Sequence, residues 1–183
     1  MGKNKQAVLI VDMINDFQHE DGDQLFRQVL PIARSIKVLK ERANKAGVPV
    51  IYVNDNFEHW HDTFQSTIKH VEQNSEEGRQ LVELLRPGRD DYYVLKPHRS
   101  GFYKTPLGVL LDELDVDELI ITGSTTDMCV LSTAHDAQMR KYKIRVPRDC
   151  TTGIKNEYRD QALDLMERVL DANISPSSEI EFM

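Results

Sequence analysis

Cysteine is scarce in this chain of 183 residues: Cys129 and Cys150 are the only two. A disulfide scaffold needs more of them in a shorter chain. Neither stands in a C-x-x-C pair of the kind that holds structural zinc. Long apolar runs are missing as well. None approaches the roughly 20 residues needed to span a bilayer. Met1 to Gln6 is basic but has no apolar core of a signal peptide. There is no excess of positive charge either. The formal net charge is -7, which argues against nucleic acid as the main partner, because phosphate binding needs a basic face. These absences point to a cytoplasmic protein whose partners are small molecules, not nucleic acid or membrane.

What is present suits a packed domain. Hydrophobic residues make up 40% of the chain and charged residues 29%, the balance of an ordinary globular protein. Nothing in the sequence reads as a linker, so residues 1–183 are expected to form one domain. Ala7 to Val11, AVLIV, is a continuous β-branched run, as in a strand buried on both faces. Further strands are predicted over Pro49–Val53, Tyr92–Leu95, Glu118–Thr122 and Lys143–Val146. Helical spacing runs over Leu30–Ala46, Thr105–Leu114, Asp127–Lys141 and Asn156–Leu170. Leu81–Leu85 reads as a short helical or irregular piece. Asn54 to about Ser75 reads as a long polar loop holding His59, His61 and His70, and as the lid. The tail from Asn173 carries a short sixth strand or none. Alternating strands and helices imply α/β architecture: a three-layer α/β/α sandwich, Rossmann-like, around a mainly parallel sheet.

In such folds ligands bind at the carboxyl ends of the strands. Three chemically apt residues fall there. Asp12 follows the first strand, Lys96 ends the third, and Cys129 follows the fourth after Gly123-Ser124-Thr125-Thr126-Asp127-Met128. Each alone has a plainer reading: a turn-capping Asp, a surface Lys, a packed Cys. Together they supply a base, a cation and a nucleophile. Cys129 is expected in a first helical turn, where the helix N-terminus lowers a thiol pKa and offers N–H groups to an oxyanion. No histidine holds a strand end, which favours a carboxylate as base.

The motifs DMINDF with Asp12, KPHRSGFYKTPL with Lys96 and ITGSTTDMCVLSTAHDA with Cys129 resemble those of the isochorismatase-like cysteine hydrolases. That superfamily includes nicotinamidases, N-carbamoylsarcosine amidases and ureidoacrylate amidohydrolases. The similarity covers nearly the whole chain. It implies an isochorismatase-like hydrolase fold, an Asp12–Lys96–Cys129 triad and a cis peptide at Ser124–Thr125. It also implies an oxyanion hole from the backbone N–H groups of Thr125 and Cys129. Phe17 matches an aromatic that lines the pocket, Trp60 lies in the specificity loop, and a homo-oligomer is the family expectation. The implied activity is hydrolysis of a small amide or carbamoyl compound through a thioester. The alternatives are vinyl ether hydrolysis of the isochorismatase type and a non-catalytic binding role.

The pattern departs from the nicotinamidases in one place. Their metal site follows the second strand as Asp-x-His with a second His, whereas here the stretch is Asn54-Asp55-Asn56-Phe57. Phe57 stands where the first histidine would, and a phenyl ring ligates nothing. No cofactor is therefore expected. A zinc ion on Asp55 with His59, His61 or His70 is the minor alternative. Cys150, His135, His98 and Arg99 read as packing or surface residues.

Overall fold

The computed structural model describes residues 5–57, 60–61 and 63–182. Among them, five parallel strands form a sheet in the order β3-β2-β1-β4-β5, and a two-residue strand, β6, pairs with β4. The strands are β1 Gln6–Val11, β2 Val50–Asp55, β3 Tyr92–Lys96, β4 Glu118–Ser124, β5 Lys143–Arg145 and β6 Thr151–Thr152. β1 lies at the centre and every residue of it is buried. That is why it reads as an unbroken apolar run: both of its faces are covered.

The two faces carry separate cores. Val8 and Ile10 of β1 pack with α1 (Gly22–Lys45), α2 (Phe64–Asn74) and α3 (Glu76–Leu85). Ala7, Leu9 and Val11 pack with α4 (Leu107–Glu113), α5 (Leu131–Met139) and α6 (Asn156–Leu170). The alternation follows from the two-residue period of a strand. The result is a three-layer α/β/α sandwich.

Several elements differ from the sequence expectation. α1 begins at Gly22, not Leu30, and runs through Pro31. Pro31 removes one helical hydrogen bond, yet Leu25, Val29, Ile32 and Ile36 bury the same helix face on both sides of it. The stretch from Asn54 to Ser75 is not a long loop, because α2 fills its second half. Thr63 and Ser66 form a reciprocal capping box there, and Phe64, Thr67 and Val71 supply a buried stripe. β5 ends at Arg145, and Val146 instead donates its N–H to the Asn173 carbonyl. The sixth strand lies at Thr151–Thr152, while the tail makes a single bridge at Asn173 and a 3-10 turn at Ser177–Glu179. No helix among the described residues is long and apolar enough to cross a membrane.

Candidate active site

β1, β2, β3 and β4 end side by side, and their last residues bring the three predicted groups together. Asp12 follows β1 with φ 49° and donates its N–H to the Val53 carbonyl at 3.0 Å. Its Oδ1 accepts the Asp55 N–H at 2.7 Å. Its Oδ2 lies 2.8 Å from Lys96 Nζ. Lys96 closes β3 and is 0% exposed. Its ammonium also lies 3.6 Å from Cys129 Sγ and 3.5 Å from Asp55 Oδ2. One buried cation thus touches two carboxylates and the thiol.

Two devices place the thiol there. Gly123 approaches β1 so closely that a Cβ on it would lie 2.0 Å from the Val11 carbonyl oxygen, and its φ of +110° suits only glycine. The chain then passes the cis peptide Ser124–Thr125. Cys129 sits in a π-helical turn, Thr126–Val130, that precedes α5, not in the first turn of an α-helix over Asp127–Lys141 as expected. The Thr133 hydroxyl ties this turn to the loop after Lys96. It donates to the Cys129 carbonyl at 2.7 Å and accepts the Gly101 N–H at 3.0 Å.

The electrostatics reverse one expectation. Burial, and next to it the negative charge of Asp12, push the Cys129 thiol up to about 12, against the pull of Lys96. Desolvation and a carboxylate outweigh the helix-terminal field. Burial also raises Asp12, opposed by Lys96 and by its hydrogen bond with Cys129, while Asp55 pushes it further up. Lys96 is raised: burial lowers it, but Asp12, Cys129 and Asp55 together hold its proton. Cys150 is fully buried, pushed up to about 12 chiefly by burial, and its carbonyl accepts the Gly123 N–H at 2.9 Å. Its part is structural, as expected.

Other predicted residues lie elsewhere. Phe17 is 7% exposed, and its ring packs edge-on against Phe26 at 5.4 Å, inside the core. Trp60 is 74% exposed on a turn. His59 lies outside the described residues. The sequence marks Asp55 only as a candidate metal ligand, yet it touches both Lys96 and Asp12. The signal was available: β2 runs two residues past Val53, so Asp55 is itself a strand-end carboxylate. Its Oδ2 faces Lys96 and its Oδ1 accepts the Phe57 N–H at 2.7 Å. Phe57 offers no ligand, and no cluster of three His, Cys, Asp or Glu suited to a metal exists among the described residues. The described residues at this position do not make up a metal centre.

A cleft of about 260 Å³ lies between the loop after β1, the residues after β2 and α2, and none of Asp12, Lys96 or Cys129 lines it. Asn15, Asp16, Asn56, Phe57, Thr67 and His70 are among its walls. Those walls are tied to the cluster. The Asn56 N–H donates to the Lys96 carbonyl at 3.1 Å. The Asn54 amide clamps Ile14 through both its N–H and its carbonyl at 3.0 Å.

Comparison with known proteins agrees with this architecture. Residues 6–175 match the family model described as an isochorismatase domain. The isochorismatase family protein YaaI of Bacillus subtilis (strain 168) is 40% identical over 98% of both chains. Ureidoacrylate amidohydrolase RutB of Enterobacter sp. (strain 638) is 28% identical over 85% of this chain and 79% of its own. Among solved structures, N-carbamoylsarcosine amidase from Thermoplasma acidophilum superposes with a TM-score of 0.74 and 29% identity, covering 97% of this chain and 99% of that one. With the family model spanning nearly the whole sandwich, the chain belongs to the isochorismatase family.

Proposed function

We propose that the protein is a cysteine-dependent amidohydrolase of a small amide or carbamoyl compound, with Asp12, Lys96 and Cys129 as its catalytic groups. The observation that carries this reading is the fully buried Lys96 ammonium, 2.8 Å from Asp12 Oδ2 and 3.6 Å from Cys129 Sγ. Relatives named as amidohydrolases and amidases support the same chemistry.

The pKa pattern fits a base-assisted attack. With its pKa pushed up to about 12, Cys129 rests as a thiol at neutral pH and needs a partner to take its proton. Asp12, itself raised, is a stronger base than an exposed carboxylate, which narrows the gap the proton must climb. The thiol proton passes to Asp12 as Sγ bonds to the carbonyl carbon. The backbone N–H groups of Thr125 and Cys129 hold the oxyanion. Collapse breaks the C–N bond, the proton moves from Asp12 to the departing nitrogen, and an acyl thioester remains. Asp12 then takes a proton from water, the resulting hydroxide attacks the thioester carbon, the C–S bond breaks, and the proton returns to Sγ. Lys96 keeps its charge throughout and steadies each anion in turn.

The test is ammonia release from a panel of carboxamides and N-carbamoyl compounds, run beside Cys129→Ala. Release by the native protein that disappears in the variant is the expected result. Release that survives in Cys129→Ala overturns the mechanism.

A further inference from the structure

Asp55 makes a contact that the turn it stands in does not require. Its Oδ1 accepts the Phe57 N–H at 2.7 Å and closes the turn after β2. An asparagine would do that equally well, and Asn54 and Asn56 stand on either side of it. What only an aspartate brings is charge on the second oxygen. That oxygen, Oδ2, lies 3.5 Å from Lys96 Nζ.

The sheet sets this approach. Asp55 ends β2 in register with Lys96 at the end of β3. The Asp55 backbone serves the same cation, since its N–H donates to Asp12 Oδ1 at 2.7 Å and leaves Asp12 Oδ2 for Lys96 at 2.8 Å. Three groups thus bear on the ammonium, each from a different element: Asp12 after β1, Asp55 of β2 and Cys129 of the π-helical turn. The Lys96 side chain is 0% exposed and that of Asp55 39%, so water reaches the second carboxylate but not the cation.

In the reaction proposed above, Asp12 takes the thiol proton and becomes neutral while sulfur bonds to carbon. Lys96 then loses its nearer anion. A buried ammonium without a counter-charge is costly, and desolvation drives it to give up its proton. The opposing forces already act in the resting site, where burial lowers Lys96 and Asp12, Cys129 and Asp55 more than offset it. Asp55 takes part in none of the proton transfers, so its charge stays opposite Lys96 throughout. We propose that Asp55 is a positioning residue that acts through Lys96, as the standing counter-charge that keeps the ammonium protonated while Asp12 carries the thiol proton. This inference rests on the amidohydrolase reading for the proton's route. It adds a fourth group to the site and gives it a role distinct from that of Asp12.

Asp12→Asn holds the site in its neutral-Asp12 form, so the charge on Lys96 can be followed without substrate. Protein carrying 13C at the lysine Cε positions is titrated by NMR, and Lys96 is identified by its absence in Lys96→Arg. Adding Asp55→Asn to Asp12→Asn is expected to lower the Lys96 midpoint by at least about one pH unit. The turn is not disturbed, because asparagine keeps an acceptor for the Phe57 N–H. Identical midpoints overturn the inference. If the double variant does not fold, Asp55→Asn alone decides, since Asp12 still pairs with Lys96 there. A midpoint below that of the native protein supports the inference, and an unmoved one overturns it. Ammonia release is a separate readout. In a protein that releases ammonia, Asp55→Asn should lower kcat at least about tenfold and move the alkaline limb of the pH profile to lower pH. A lower rate with the limb unmoved marks a merely structural role and overturns the inference. No release by the native protein sinks the hydrolytic reading, and the Lys96 midpoints still decide whether Asp55 holds the charge.

Discussion

The Thr133 hydroxyl donates to the Cys129 carbonyl at 2.7 Å and accepts the Gly101 N–H at 3.0 Å. Thr133 is fully buried, and the Gly101 N–H it accepts is buried with it. Valine is nearly the same shape and can do neither job. Thr133→Val should leave the buried Gly101 N–H without its acceptor, at about 1–3 kcal/mol, and remove the hydroxyl donor from the part-buried Cys129 carbonyl. Thermal unfolding should fall by several degrees, about 2–4 °C per kcal/mol at this size. Turnover should fall more than binding, because the nucleophile's turn is loosened while the cleft is untouched. Thr133→Ser keeps the hydroxyl and should restore most of both. A Val variant as stable as the parent would show that the bridge carries nothing.

The grouping of Asp12, Lys96 and Cys129 was legible in the sequence because of a general rule: chemistry in parallel α/β sheets collects at strand carboxyl ends. Asp12, Lys96 and Cys129 follow β1, end β3 and follow β4 in that way. The all-apolar run of β1 and the helix at Asn156–Leu170 were equally direct. What escaped had physical causes. α2 has polar residues over most of its surface, and only three buried positions mark it as helix. α1 passes through Pro31, which pattern reading treats as a stop. The direction of the Cys129 shift escaped because it depends on burial and on the distance to Asp12, and sequence supplies neither.

That shift has a direct consequence for thiol chemistry. A thiol held near 12 gives little free thiolate at pH 7. Alkylation of Cys129 by iodoacetamide should therefore climb steadily through pH 8–10 without levelling off. A plateau below pH 8 would mean that Lys96 dominates the site instead. Folding stability should follow the same groups. Cys129 and Cys150 both rise from 9.0 to about 12 on folding. Between those values the unfolded chain has released protons that the native state retains, so stability falls as pH rises above about 9. Lys96, also raised, contributes stability below its unfolded value and loses it as pH climbs through the folded one. All three therefore act in one direction. Urea unfolding at pH 8 and pH 10 should show the loss, and equal stability at both would contradict it.

Lys96 is the point on which the charges balance. Lys96→Met keeps the length of the side chain but leaves the largely buried Asp12 carboxylate without its cation, beside the partly exposed Asp55. Removing one partner of a buried pair costs about 3–5 kcal/mol. The single variant should be inactive and strongly destabilised at pH 7. The double variant Lys96→Met with Asp12→Asn removes the stranded charge and should recover part of that stability without recovering activity. Strict additivity of the two losses would mean that the pair is not coupled.

Gly123 and Gly101 allow the backbone geometry to be separated from the side-chain chemistry. A Cβ on Gly123 would lie 2.0 Å from the Val11 carbonyl oxygen, at a φ of +110° that L-residues rarely adopt. Backbone on both sides leaves nothing that can yield. Gly123→Ala should therefore push β4 away from β1 immediately before Asp12 and Cys129, destabilising the fold by about 3 kcal/mol or more. A Cβ on Gly101 would instead meet the Val53 side chain, Cγ1 at 2.7 Å. That methyl belongs to a side chain in the core, and small rotations can absorb part of the overlap, at a cost of about 1–3 kcal/mol. Gly101→Ala should accordingly fold and retain measurable turnover, while Gly123→Ala should unfold at lower denaturant and lose it. If both variants behave alike, the close approach of β4 to β1 is not what holds Cys129 beside Lys96.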